Sequence, residues 1–332
     1  MRKFCLSILV PLIAAATAIQ AQNTLVVTAS NATKNQLLVY DSTGRLIQTV
    51  STRGQGGVGG NAGGIEERDG VLAVVNFGSQ SVSIFERAGN GFQMTQSVPA
   101  ASSPVSVAFG AGHLYILGTT KVESHAMFGT HVSSSPDGVV GLLVADGSAA
   151  QVGVVPGELV ITEKSNVIET VNLRTDGAVS GSPTLVQNIP SNVNAPFGLV
   201  TRGNDAYVTI AHANEVSLVR NGAVLTVTGS GTQSAPCWLT LVGPFLFSSN
   251  SPSKSVSRYA VYGQKIVQDA AVAAAFSGDP TDIDSRDGLV AVIDGSGTLS
   301  IFSVDEDGNL TLQGSASIST AANGVAVVHG EY

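Results

Sequence analysis

Charge is scarce in this chain. Only 12 % of its 332 residues are Asp, Glu, Lys or Arg, about half the share found in ordinary soluble domains. The 16 basic residues never cluster beyond Arg2-Lys3. With no basic patch there is no electrostatic footprint for DNA, RNA or an anionic membrane, so nucleic-acid partners are excluded. Aromatics are few as well, at 5 % with a single Trp, yet apolar residues reach 43 %, which excludes a disordered chain. Neither a sustained helical period nor a Gly-X-Y period occurs in the mature chain, so coiled coils and collagen drop out. Long apolar runs are confined to the start, and no later stretch approaches the roughly 20 residues of a membrane-spanning helix.

That start has its own pattern. Arg2-Lys3, an apolar run from Phe4 through Ala18, and small residues ending at Ala21 form a secretory signal peptide, with the mature chain beginning at Gln22. Cleavage removes Cys5 and leaves Cys237 alone, so no intrachain disulfide is possible. It also removes two cations, Arg2 and Lys3, taking the formal charge from −8 to −10. A sizeable exported chain without disulfides must derive its stability from burial and from closure of its sheets. A soluble, extracellular monomer is expected. Two sequons, at Asn31 and Asn309, are candidate glycosylation sites.

What the chain has in plenty is glycine, 38 residues of it, bounding short Val, Ile, Leu, Thr and Tyr runs that read as strands. One pattern recurs seven times: a small or Pro-containing start, a small or polar residue, then an aliphatic one. It appears as Asn61-Ala62-Gly63-Gly64-Ile65, Ser103-Pro104-Val105-Ser106-Val107, Ala150-Gln151-Val152-Gly153-Val154 and Ala195-Pro196-Phe197-Gly198-Leu199. The series continues with Ala235-Pro236-Cys237-Trp238-Leu239, Asp279-Pro280-Thr281-Asp282-Ile283 and Ala321-Ala322-Asn323-Gly324-Val325. The copies recur about every 43 residues, the period of a four-stranded propeller blade. Thr24 to Val50 supplies three strands with no first strand, and Asn323 to His329 supplies a first strand with nothing after it. Together they complete a seventh blade, so the expected fold is an all-β, seven-bladed β-propeller closed by the C-terminal strand. The domain organisation is then 1–21 signal peptide and 22–332 propeller.

The repeats resemble the seven-bladed lactonase and carboxymuconate cycloisomerase family, which includes 6-phosphogluconolactonase-like proteins. The resemblance rests on Val75-Asn76-Phe77-Gly78-Ser79-Gln80-Ser81-Val82-Ser83-Ile84-Phe85, Leu159-Val160-Ile161-Thr162-Glu163-Lys164 and Ala235-Pro236-Cys237-Trp238. It implies a secreted propeller acting on a small lactone or organic acid at the central mouth. The family's functional motifs are a His, a Pro-Arg-His, an Asn-Glu-Leu and a Ser-Asn-Arg-Gly. They fall here on Gln151-Val152, Pro196-Phe197-Gly198, Ala211-His212-Ala213 and Ser249-Asn250-Ser251, so none is retained. A non-catalytic module binding a glycan, a cell-wall component or a host protein, adhesin-like, is the alternative.

In a propeller, the starts of the first strands and the ends of the second strands meet on one face. That places Glu163, His212 and Asp294 there as candidate acids and bases. Asn76, Phe197, Trp238, Asn250 and Asp282 are the candidate substrate contacts, with Trp238 a floor for a flat ring. Glu163 follows a buried apolar run, so desolvation should raise its pKa toward neutrality. The competing reading is that Asn and Asp cap turns while Gly fills the crowded axis. Asn61 and Asn323 lie at the same level.

The remaining motifs carry less. Thr119 to Ala149 reads as the longest loop, a possible lid on blade 3. Its His125 and His131 lack a further ligand set, and no metal or cofactor is expected. Gly54-Gln55-Gly56-Gly57-Val58-Gly59 has the letters of a dinucleotide loop but no following helix, and reads as an inter-blade loop. Asp305-Glu306-Asp307-Gly308-Asn309 lies between two strands and reads as a hairpin turn. No Gly-x-Ser-x-Gly elbow occurs, and Cys237 reads as a small apolar residue buried near the axis.

Overall fold

The structure is a computed structural model that describes residues 24–186 and 195–329; the signal peptide expected at 1–21 lies outside the described residues. Seven antiparallel sheets follow one another along the chain. Blade 1 joins Asn323–Val328 to Leu25–Ala29, Gln36–Asp41 and Leu46–Ser51. Blade 2 runs through Ile65–Arg68, Val71–Asn76, Ser81–Ala88 and Gly91–Pro99. Blades 4 to 7 repeat the order, opening at Ala149–Val155, Pro196–Arg202, Pro236–Val242 and Pro280–Arg286. First strands of successive blades touch all the way round the ring, so the seven sheets form a seven-bladed propeller with the first strands around the axis.

Closure follows the expected route. The C-terminal strand pairs antiparallel with the N-terminal one, Leu25 opposite Val328 and Thr28 opposite Val325. No unpaired edge is left at the joint, the position where an open ring would recruit another chain. Every copy of the repeat lies at or just before a first strand. Its aliphatic residue is buried in six of the seven (Ile65, Val107, Leu199, Leu239, Ile283, Val325) and half-exposed only as Val154.

Burial falls off from the axis to the rim, and the sequence records it. Second strands such as Val71–Asn76, His113–Gly118 and Leu289–Asp294 are buried at every position, because each sheet is covered on both faces by its neighbours. They therefore read as unbroken apolar runs rather than alternating ones. The outer strand Leu310–Ser317 is largely exposed and alternates. At the axis the blades come close enough to demand glycine at Gly198, where a Cβ would lie 2.4 Å from the Cys237 carbonyl oxygen.

One expectation is corrected. The stretch from Thr119 to Ala149 is not a loop: Lys121–Phe128 is the third strand of blade 3, which follows Pro104–Gly110 and His113–Gly118. Both His131–Val132 and Gly138–Gly141 pair with it as a divided outer strand. The break at Ser133-Ser134-Ser135-Pro136 hides the strand signal, since proline cannot donate to a ladder. His125 is consequently buried, its Nδ1 2.8 Å from the Ser133 carbonyl, while His131 is exposed. The Asp305–Asn309 turn is a hairpin turn as expected, with Asp305 Oδ1 accepting from the Asp307 and Asn309 amides at 3.0 and 2.8 Å. No described helix is long and apolar enough to cross a membrane.

Candidate functional site in the central channel

First strands pair with a neighbour along one edge only, so their other edge presents unpaired amides to the axis. Buried amides must find acceptors, and here the preceding blade supplies them. Gln151 Oε1 accepts from Leu199 N at 2.7 Å, Asp282 Oδ2 from Val325 N at 3.1 Å and Asp284 Oδ2 from Val327 N at 2.7 Å. The Glu66 carboxylate accepts from the Phe109 amide in the same way. Polar side chains thus enter a chain-wide axial cavity for a structural reason, and some remain available for chemistry.

The cavity has a volume of about 260 Å³ and is lined by first strands of all seven blades. Glu66, Asp284 and Arg286 lie on its wall, half-buried, beside the more deeply buried Glu67 and Asp282. Burial pushes Glu66 up to about 8, reinforced by the negative charge of Asp284 and only partly offset by the Phe109 amide. Asp284 is pushed up less, to about 6, because the Val327 and Ser285 amides and the Arg286 guanidinium favour its charged form. Asp282, wholly enclosed, is held well above the ordinary carboxylate range by burial. Arg286 Nη1 pairs with Glu67 Oε2, and Glu67 Oε1 accepts from Gly70 N at 2.6 Å.

The mouth face, where the site was expected, is occupied by the chain itself. Residues 54 to 64, joining blades 1 and 2, fold over it as a glycine-rich strap rather than skirting the rim. Asn31 pins the near end: its Oδ1 accepts from Gly57 N and Val58 N, and its Nδ2 donates to Val58 O at 2.7 Å. Farther along, Asn61 Nδ2 donates to Val105 O, Val107 N donates to Gly63 O, and Ala62 packs among Cys237 and Trp238. Lys164, on blade 4, donates from Nζ to Gly60 O at 2.7 Å. Ala62 and Gly63 then form one end of the cavity lining.

The expected site residues are spread among these features. Glu163 is fully buried, with Oε1 accepting from Val144 N at 3.2 Å and Oε2 without a partner. Its pKa is raised to about 7, first by desolvation and then by Glu169, the direction expected from its position after an apolar run. Glu169 occupies the same sheet face two register pairs along and is likewise raised to about 7 by burial. His212 is exposed in the short 3-10 turn Ala211–Ala213. Asp294 folds back on its own turn, Oδ1 accepting from Ser296 N at 2.8 Å. No hydrogen bond or ion pair joins any two of these three.

Among the expected substrate contacts, Asn76 is buried and spends its amide on Asn35, Thr52 and Ser83. Asn250 donates to Ser255 and Ser257 at 3.1 and 2.8 Å. Phe197 and Trp238 do meet, their ring centroids 5.1 Å apart at 60°. Cys237 is buried, and burial pushes its thiol up. At the first sequon the Asn31 amide nitrogen, where a glycan would attach, donates to Val58 and Ala321 carbonyls. Asn309 is exposed.

Sequence reasoning missed Glu66, Asp284 and Arg286. A signal was present: in a chain so poor in charge, Ile65-Glu66-Glu67-Arg68 and Asp282-Ile283-Asp284-Ser285-Arg286 put charge on two strands that border the axis.

No protein-family model matches the chain, and no curated protein matches it by sequence. Solved structures do match in fold. The periplasmic gluconolactonase PpgL of Pseudomonas aeruginosa is 16 % identical, with a TM-score of 0.65 over 93 % of this chain and 99 % of that one. A candidate 6-phosphogluconolactonase from Bacteroides fragilis is 12 % identical, with a TM-score of 0.69 over 93 % of this chain and 99 % of that one. The computationally designed protein Ika8 also matches, at 13 % identity and a TM-score of 0.59 over 92 % and 93 % of the two chains. Lactonases and a designed protein sharing one architecture mean that the match describes the fold, while activity must be argued from the site.

Proposed function

We propose that the protein is an exported propeller enzyme that hydrolyses a small lactone of a hydroxy acid inside its central channel. Glu66 serves as general acid, Asp284 as general base and Arg286 as the anchor for the substrate's carbonyl or anionic oxygen. The observation that carries this reading is that two carboxyl groups of unlike acidity, about 8 and about 6, face one cavity beside a guanidinium. Near pH 7 one is protonated and the other ionised, the division of labour that acid–base catalysis requires. Likeness in fold to a protein named as a periplasmic gluconolactonase supports both the lactone and the export.

The chemistry balances without a cofactor. Asp284 takes a proton from water as the oxygen attacks the lactone carbonyl carbon. The tetrahedral intermediate collapses with cleavage of the bond to the ring oxygen, which receives the Glu66 proton. Asp284 then returns its proton through solvent and Glu66 regains one, leaving an open hydroxy acid. Arg286 stabilises the oxyanion, the role in which a fixed positive group contributes most.

Hydrolysis of glucono-δ-lactone and related lactones, followed by pH-stat, tests this. The rate should be bell-shaped in pH, with limbs near 6 and 8. Glu66→Gln and Asp284→Asn should each lower kcat by roughly 10²-fold or more. Full activity in both variants would move the chemistry elsewhere, with Glu163→Gln and His212→Ala the next to measure. A ligand that raises the melting temperature with no lactone turned over would make the channel a binding site and the chain a binding module.

A further inference from the structure

The strap closes the mouth with little chain of its own. A side chain at Gly59 would have no atom within 4 Å, and one at Gly60, where φ is +65°, would meet only Lys164. The hydrogen bond tying this middle part across the mouth is the one from Lys164 Nζ to the Gly60 carbonyl. The same ammonium lies 5.7 Å from the Phe197 ring centroid, and Phe197 stands against Trp238. Trp238 is 4 % exposed, and its indole N–H has no partner. Asn61 Oδ1 and Asn323 Oδ1, flanking Gly64, also lack partners.

The Lys164 ammonium, the Phe197 ring and the Trp238 indole thus lie in successive contact, a set of groups suited to a flat organic anion. Lys164 holds a neutral carbonyl, and a carboxylate in its place would add the attraction between opposite charges to that hydrogen bond. A ring would gain aromatic contacts with Phe197 and Trp238, and the indole N–H would gain an acceptor. Glycine lets the strap leave and return without steric cost. The Gly60 carbonyl thus occupies the place of the ligand's own oxygen.

We infer that Lys164, Phe197 and Trp238 form a binding site for a small aromatic or unsaturated-ring carboxylate, which displaces the Gly60 carbonyl from Lys164 and is then covered by the strap. The site stands independently of the chemistry proposed for the channel. Half-burial lowers the Lys164 pKa, and an ammonium short of water gains more from a carboxylate partner.

Trp238 is the only tryptophan in the chain, so its fluorescence reports this site alone. Benzoate titrated into the full-length protein should give a saturable change in Trp238 emission, with at least tenfold higher affinity than its neutral isostere benzamide. Lys164→Met should erase that preference and raise acrylamide quenching of Trp238 severalfold, because the strap has lost its tie. Lys164→Arg should keep the preference, and Arg286→Met, which alters the channel, should leave it unchanged. The site is overturned if benzoate gives no saturable change, if benzamide binds equally well, if the preference survives Lys164→Met, or if Arg286→Met abolishes it. Should Lys164→Met fail to fold, the benzoate and benzamide titrations of the unaltered protein and of Lys164→Arg decide.

Discussion

Glu163 shows what a sequence reveals about a residue and what it withholds. Its place after Leu159-Val160-Ile161-Thr162 was enough to expect desolvation and a raised pKa, and the pKa is about 7. Its neighbour was hidden, because Glu169 reaches the same face only through the hairpin register that sets Ile161 opposite Glu169. Two buried carboxyls set diagonally on one sheet face define a pH dependence. Unfolded, each ionises near its ordinary 4.5; folded, each holds its proton to about 7. The folded state therefore binds more protons between those values, so the stabilisation is complete below pH 4.5 and is lost as pH rises through 7. Glu66 adds a loss with the same sign, extending to about 8. Melting temperature should be higher at pH 5 than at pH 8. Glu169→Gln should flatten that slope, raising the pH 8 value relative to wild type by a few degrees. A slope unchanged in this variant, measured by calorimetry, would remove the pair as its source.

At the scale of the blade, strands were legible where burial leaves a simple pattern, and were missed where a break interrupts it, as in the outer strand of blade 3. What joins one blade to the next was not legible at all, because it depends on polar side chains that reach across the interface. Asn76 is the clearest case: it ends the second strand of blade 2 yet holds Asn35 and Thr52 of the segments flanking blade 1's outer hairpin. Sequence position alone made it a candidate substrate contact, but the geometry gives it the work of a staple. Asn76→Ala would leave the Ser83 and Thr52 hydroxyls and the Asn35 amide short of a buried partner, at a cost of about 1–3 kcal/mol. Chemical denaturation should record that loss, while turnover of any lactone substrate by the folded variant should stay within about twofold, since a residue bound away from the cavity contributes little to transition-state binding. A large fall in kcat with stability intact would instead return Asn76 to the site.

Closure of the ring was the most legible feature of the whole molecule, because a three-strand start and a one-strand finish can be reconciled in one way. The strap over the mouth was the least legible, since Gly54 to Gly64 offers no apolar period from which a path can be read. The two features meet at Asn323–Val328. This strand buries Val325, Ala326, Val327 and Val328 against its neighbours, and two of its amides are the partners of Asp282 and Asp284. Ending the chain before Asn323 would therefore do more than expose the Leu25–Ala29 edge. It would take one donor from each of two axial carboxyls and remove part of the cavity wall, so fold and site should be lost together. Expression of the truncated chain should yield aggregate rather than a monomer on size-exclusion chromatography. A peptide spanning 323–329, supplied in trans, should restore some soluble protein, because the missing contacts are one strand's worth of ladder and core. Monomeric elution and an unchanged melting temperature for the truncated chain would show that the ring does not depend on this strand, and that Asp284 is held in place by something other than Val327.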